Sequence, residues 1–195
     1  MSSLDNQYWS ERYTTGQTGW DTGGITPPLK EYFSQLSNKN LAILIPGCGN
    51  SHEAAYLLQQ GFTNITLIDI SEVLCNHIRQ KFSAEISGRL TIICGNFFDH
   101  TGQYDLIVEQ TFFCALNPAL RSSYATKANE LLLPGGKLAG VFFNKNFDGG
   151  PPFGGSLAEY QLLFAPLYKI VCMEPCHNSI TPRAGTELFV ILQKA

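Results

Sequence analysis

Two glycines and one acid carry the chemistry that can be read first from this sequence. Gly47 and Gly49 lie in Pro46-Gly47-Cys48-Gly49, directly after the apolar run Leu41–Ile45. Asp69 sits at the end of a second apolar run, Ile65 to Ile70, twenty residues beyond Gly49. Glycine lets a chain turn sharply and lets its backbone approach a ligand closely. A carboxylate at the end of the next strand can accept hydrogen bonds from ribose hydroxyls. Together these residues describe a nucleotide-type site at the carboxyl ends of parallel strands.

The dinucleotide fingerprint is incomplete, because His52 stands where G-x-G-x-x-G has its third glycine. That glycine serves close helix–strand packing beneath a pyrophosphate. Its loss argues against NAD or FAD and leaves room for a nucleoside cofactor without phosphates, S-adenosylmethionine foremost. After the fourth strand the sequence reads Glu109-Gln110-Thr111-Phe112. There is no Asn/Asp-Pro-Pro-Tyr motif of the kind that holds a planar amino group. A soft nucleophile such as a thiolate, selenide or halide fits better, since its methylation depends on orientation and exclusion of water more than on proton chemistry. The histidines have no triad-like partner in sequence, and His52 and His77 are expected as surface residues of helices.

Composition bounds the rest. A chain of 195 residues with 44% hydrophobic and 15% charged residues has the balance of an ordinary globular domain. A net charge of −3 without a Lys/Arg cluster offers no footprint for nucleic acid. No apolar stretch approaches a membrane span, and the polar opening Met1–Asn6 has no signal-peptide core. A cytoplasmic enzyme is expected. The six cysteines are scattered and read as small buried hydrophobes of a reducing compartment. Cys172, Cys176 and His177 lack a second ligand pair at zinc spacing, so no metal is expected.

The elements that must position these residues alternate. Strands are expected at Leu41–Ile45, Ile65–Asp69, Leu90–Cys94, Leu106–Glu109 and Lys137–Phe143, with helices at Ser51–Gln60, Ser71–Ser83 and Pro118–Leu132. Continuous apolar strands separated by helices imply a parallel sheet covered on both faces. Leu133-Pro134-Gly135-Gly136 is expected as a turn leading into the fifth strand. A helix near Ser156–Phe164 is followed by two longer runs, Tyr168–Cys176 and Thr186–Gln193, which can pair antiparallel around Thr181–Gly185. At the other end, Asn6–Tyr13 and Leu29–Leu36 read as helices flanking a Gly/Thr/Pro-rich loop. A parallel sheet closed by an antiparallel hairpin resembles the class I S-adenosylmethionine-dependent methyltransferases. The expected fold is therefore α/β and Rossmann-like: a mostly parallel seven-stranded sheet, helices on both faces, and a C-terminal antiparallel hairpin. Residues 1–195 are expected as one domain, with 1–38 a helical cap over the cofactor site and 39–195 the core.

Several motifs sharpen this. Tyr8-Trp9-Ser10-Glu11-Arg12-Tyr13, Gly19-Trp20-Asp21, Pro27-Pro28-Leu29, Asn96-Phe97-Phe98, Glu109 to Leu116 and Gly149-Gly150-Pro151-Pro152-Phe153 occur in order along the chain. With the glycine loop they resemble the thiopurine S-methyltransferase superfamily, most closely its halide/thiol methyltransferase branch. The resemblance implies that Trp9, Tyr13 and Trp20 cover S-adenosylmethionine, whose sulfonium cation suits aromatic faces. It implies that Gly47 and Gly49 pass under the methionine part and Asp69 holds the ribose. It also implies that Asn96 and Phe97 flank the adenine and that Gln110 contacts the cofactor. Tyr13 stands where the halide enzymes tend to have a tryptophan, and Asn96 where the family often has an acid.

The acceptor is read as a small molecule: a thiol, a thiopurine-like aromatic thiol, hydrosulfide or a halide. Arg183, near the hairpin tip, is a candidate for stabilising an anionic acceptor. Glu109 either acts in the site or simply ends its strand. Asn144–Gly155 can form a mobile cover, and Phe112, Phe113 and Phe153 an apolar acceptor pocket. Three readings compete with this one: oxygen or nitrogen methylation of a small molecule, a non-catalytic S-adenosylmethionine-binding module, and a small nicotinamide-dependent oxidoreductase. Monomer and homodimer remain equally open.

Overall fold

The computed structural model describes residues 4–86 and 88–195; Met1–Ser3, part of the polar opening noted above, lie outside the described residues. The chain runs through α1 (Asn6–Thr14), α2 (Pro27–Ser34), β1 (Ile43–Pro46), α3 (His52–Gln59), β2 (Ile65–Asp69), α4 (Glu72–Lys81), β3 (Leu90–Cys94) and β4 (Tyr104–Gln110). It continues through α5 (Arg121–Leu131), β5 (Leu132–Phe143), α6 (Leu157–Phe164), β6 (Tyr168–Pro175) and β7 (Glu187–Lys194). The strands form one seven-stranded sheet in the order β3-β2-β1-β4-β5-β7-β6. The first five are parallel, and β7 is antiparallel to both neighbours. This is the mostly parallel sheet with a closing antiparallel pair that the sequence led us to expect.

Alternation along the strands builds two cores. Ile43, Ile45, Leu106 and Val108 pack with Leu29 and Phe33 of α2, Leu57 of α3 and Ile78 of α4. Leu44, Ile107 and Leu138 face the other way, against Tyr124 of α5 and Tyr160 and Phe164 of α6. Helices therefore cover both sheet faces, as buried parallel strands require. α2 belongs to the core, since Leu29 and Phe33 are fully buried, whereas α1 has no buried residue. α1 is docked on the start of α4: Ser10 and Ser71 share a hydroxyl hydrogen bond of 3.0 Å, and the Glu72 N–H donates to Asn6 Oδ1 at 3.1 Å. No described helix is long and apolar enough to cross a membrane.

One expectation changes. β5 begins at Leu132, directly after α5, instead of after the Pro-Gly-Gly turn. Leu132 pairs with Tyr104 and Lys137 with Leu106, so Leu133–Gly136 bulge out within the strand. Gly136 has to be glycine, because a Cβ there would lie 2.8 Å from the Leu133 carbonyl oxygen and 3.0 Å from that of Tyr104. The segment Asn144–Gly155, expected as a cover, is anchored at its stem, and its Lys145, Phe147, Pro151 and Pro152 line the cavity described below. The Phe153 N–H donates to the Cys114 carbonyl (2.6 Å), Arg121 Nη2 to the Gly154 carbonyl (2.6 Å), and Lys145 bridges Gly155.

Candidate functional site

The carboxyl ends of β1, β2 and β4, the N-terminal segment and the tip of the β6–β7 hairpin enclose one cavity of about 980 Å³. Trp9, Tyr13, Trp20, Gly47, Gly49, Asp69, Asn96, Phe97 and Gln110 all line it. The sequence-based set is thus brought together from segments far apart in the chain.

The glycine loop has a sterically defined shape. Gly47 and Gly49 have φ of +54° and +51°, a left-handed backbone that other residues adopt at a cost. Asp69, at the end of β2, is buried, and burial pushes its carboxyl up to about 6 despite hydrogen bonds from the Ser71 N–H (2.9 Å) and the Gly49 N–H (3.5 Å). An acid so placed faces the cavity with acceptor capacity to spare. Ser71 Oγ in turn accepts the Leu74 N–H (3.2 Å) and caps α4, which fixes the turn beside Asp69.

Over this cradle lies an aromatic cluster. Trp20 meets Trp9 edge-on at 5.5 Å and Tyr13 edge-on at 5.8 Å. Burial, with Asp69 close by, drives the Tyr13 hydroxyl well above its ordinary range, so it stays neutral. Asn96 caps a short 3-10 turn, its Oδ1 accepting the Phe98 N–H at 3.1 Å. The two phenylalanines that follow differ in burial. Phe97 is the buried one, packed on Tyr124 at 5.5 Å, while the less buried Phe98 lines the cavity beside it.

Gln110 ends β4. Its Oε1 accepts the Thr26 hydroxyl at 3.1 Å, while its Nε2 is buried without a partner. Glu109, next to it, is fully buried and does not line the cavity. Its Oε1 accepts the N–H groups of Phe112 (2.8 Å) and Phe113 (2.9 Å), and its Oε2 accepts the Tyr124 hydroxyl (2.8 Å). Burial outweighs these bonds and raises its carboxyl to about 7. Of the two alternatives for Glu109, the geometry gives a carboxylate that shapes the turn after β4. That turn holds Thr111 at φ +63°, a strained backbone for a β-branched residue at a cavity wall.

Arg183 lies in a 3-10 turn at the hairpin tip and lines the cavity. Its side chain is only 11% exposed: Nη2 donates to the Trp20 carbonyl oxygen (2.8 Å), Nη1 lies 3.5 Å from Glu187 Oε1, and the guanidinium sits over Phe143. The apolar wall near Arg183 differs from the one expected. Phe113 is core, stacked on Phe142 at 4.7 Å, and Phe153 does not line the cavity. Phe112 does, with Phe143, Phe147, Pro151 and Pro152, and Lys145 adds a second cation there.

His52 was expected as a surface residue of a helix. Instead it lines the cavity, and its Nε2 lies 2.7 Å from Asp21 Oδ1. Asp21 belongs to the Gly19-Trp20-Asp21 motif, which by itself assigns it no role, and for His52 the gap in the glycine fingerprint was the available signal. Burial alone would raise the Asp21 carboxyl, but the Gly23 N–H, the Asn50 amide and His52 overcome it and hold the carboxyl below its ordinary value. Among the described residues no cluster of three or more His, Cys, Asp or Glu is placed to hold a metal.

Comparison with known proteins agrees with this geometry. The sequence model of the family described as Thiopurine S-methyltransferase (TPMT) matches residues 4–188. The chain is 29% identical over 192 residues to the probable thiol methyltransferase 2 of Arabidopsis thaliana, covering 96% of this chain and 84% of that protein. It is 27% identical over 186 residues to a thiopurine S-methyltransferase of Vibrio parahaemolyticus, covering 87% of this chain and 85% of that one. Among solved structures, the magnesium protoporphyrin IX methyltransferase of Synechocystis with bound SAH superposes with a TM-score of 0.76 at 14% identity, covering 97% of this chain and 98% of that one. The 1,6-didemethyltoxoflavin-N1-methyltransferase of Burkholderia thailandensis gives 0.74 at 19% identity, with 97% and 87% covered. These two establish the fold as that of class I methyltransferases. The chain belongs to the thiopurine S-methyltransferase family and is, as a member of it, an S-adenosylmethionine-dependent methyltransferase.

Proposed function

We propose that the cavity holds S-adenosylmethionine beneath the N-terminal segment and admits a thiol, or another small soft nucleophile, from the side of the hairpin tip. The observation that carries this reading is the aromatic cluster of Trp9, Tyr13 and Trp20 sharing one cavity with Gly47, Gly49 and Asp69. The residues fit the group: Asp69 is a buried acceptor on the cavity wall, and Gln110, whose side-chain amide nitrogen is buried without a partner, lines the same cavity. When bound, S-adenosylmethionine supplies a methyl group on a cationic sulfur.

The chain's residues then divide the work. Gly47 and Gly49 admit the methionine part, Asp69 accepts from the ribose, and Asn96 and Phe97 flank the adenine. The aromatic faces of Trp9, Tyr13 and Trp20 attract the cation and exclude water. Arg183 and Lys145 favour a nucleophile that arrives as an anion, between the rings of Phe112, Phe143 and Phe147. A thiolate needs no base at that point. Glu109 gives none, because its carboxylate is turned away from the cavity. The relatives named for thiol, thiocyanate and thiopurine methylation support this acceptor class.

Residues 1–38 form the cap of this site in our reading, and 39–195 its core. Six free cysteines support a reducing, cytoplasmic setting. The test is a mass-spectrometric assay of methyl transfer to thiophenol, hydrosulfide and iodide, with phenol and aniline as hard counterparts. Methylated sulfur or iodide well above methylated oxygen or nitrogen is expected. Methylation confined to phenol or aniline would overturn the acceptor class.

A further inference from the structure

The third position of the glycine fingerprint has been put to a different use in this chain. His52 opens α3, and its ring reaches out of the glycine loop to Asp21 at 2.7 Å. Asp21 lies in the loop between α1 and α2, directly after Trp20. The second oxygen of Asp21 accepts the side-chain amide of Asn50, which belongs to the glycine loop itself. Asn50 is secured from below, its carbonyl accepting Lys81 Nζ of α4 at 2.6 Å. The Gly23 N–H donates to Asp21 at 2.8 Å and closes the loop around the carboxylate. On the other side of the cavity, Arg183 holds the Trp20 carbonyl at 2.8 Å. Residues 20 and 21 are therefore clamped from two walls of the cavity.

We propose that Asp21 is a positioning residue: through His52 and Asn50 it latches the Trp20 loop over the cofactor and sets how long the cofactor stays bound. This rests on the reading of the cavity as the S-adenosylmethionine site. The physical case is one of leverage. α1 has no fully buried residue, and the apolar contacts of the loop with the core lie at its two ends, at Tyr13 and Ile25, so Trp20 and Asp21 between them depend on polar ties. A carboxylate with a lowered pKa that takes three donors from two segments is a strong local tie. Trp20 follows it because the two residues share a peptide bond. A glycine at position 52 would leave Asp21 without its ring partner. The His52 side chain thus exchanges the close turn that suits a pyrophosphate for a handle on the lid.

The chain has two tryptophans, Trp9 and Trp20, and both lie in this lid, so all tryptophan emission reports on it. The experiment compares wild type with Asp21→Ala, His52→Ala, the double variant and the conservative Asp21→Asn. Stopped-flow fluorescence gives the release rate of S-adenosylhomocysteine, and acrylamide quenching reports lid exposure in the ligand-free protein. Each alanine variant is expected to release the ligand at least about tenfold faster, as for a lost hydrogen bond to a charged group. Quenching should increase even without ligand. The double variant should be little worse than Asp21→Ala, because that substitution already removes the His52 tie along with the Asn50 one. Asp21→Asn keeps an acceptor for His52 and should restore part of the slow release. Unchanged release and quenching in variants that melt like wild type would overturn the latch, as would fully additive effects. Wild type that binds no S-adenosylhomocysteine would overturn the reading of the cavity itself, a failure distinct from that of the latch.

Discussion

The ring of Phe112 lies directly against Gly47: a Cβ built on that glycine would fall 2.2 Å from Phe112 Cδ2 and 2.9 Å from its Cβ. The turn after β1 and the turn after β4 are therefore fitted to each other across the floor of the cavity. Glu109 secures the β4 side of that fit through the Phe112 N–H.

Gly47→Ala tests this contact. The left-handed backbone at φ +54° costs an alanine roughly 1–2 kcal/mol, and the overlap with Phe112 adds about 1–3 kcal/mol. Urea denaturation should show a loss of that order. Calorimetry on the folded fraction should show weakened binding of S-adenosylhomocysteine. A variant of wild-type stability would mean that Phe112 can move freely.

Asp69→Ala should weaken cofactor binding by about 1.5–3 kcal/mol, the scale of a hydrogen bond to a charged group. The pH dependence follows from the carboxyl's position near 6 in the ligand-free protein. The ionised form is the better acceptor for ribose hydroxyls, so affinity should fall as pH drops through 6. Titrations from pH 8 to pH 5 should show that fall in wild type and a flatter profile in Asp69→Asn.

How far the site was legible depends on the kind of signal each residue gives. Asp69 and the glycines announce themselves because a strand end and a tight turn leave local marks, and β2 and β3 fall where their apolar runs end. The start of β5 was hidden because Pro134, Gly135 and Gly136 read as a turn, while their pairing with β4 is decided by backbone far away in sequence. Arg183 reads in sequence as a candidate for an anionic acceptor, but its hold on the Trp20 carbonyl, 163 residues away, leaves no local mark. The Asp21–His52 contact and the difference in burial between Phe97 and Phe98 are tertiary facts with no periodic trace.

Glu109→Gln should change stability more than chemistry. The carboxyl is raised to about 7 in the folded protein against an ordinary value near 4.5, so the folded state holds its proton more tightly. That contribution is fully present below about 4.5 and is lost as pH rises through 7. Wild type should therefore lose stability between pH 5 and pH 8 in urea melts. The glutamine variant should lose less, since its amide still accepts the two N–H groups and donates to Tyr124. An unchanged pH slope would place the titration elsewhere.

Arg183→Ala should discriminate between acceptors. Losing the guanidinium should raise KM for an aromatic thiol bearing a carboxylate by about tenfold relative to thiophenol, as for one charge-assisted hydrogen bond of about 1.5 kcal/mol. Arg183→Lys should recover part of the difference. Equal effects on both thiols would show that Arg183 acts on the acceptor only by holding the lid at Trp20.

The most direct test of the account is calorimetric titration of the purified protein with S-adenosylmethionine and S-adenosylhomocysteine. One site per chain, bound by both ligands and markedly weakened in Asp69→Ala, is the predicted result. Folded protein that takes up neither ligand, or binds them equally well without Asp69, would contradict it.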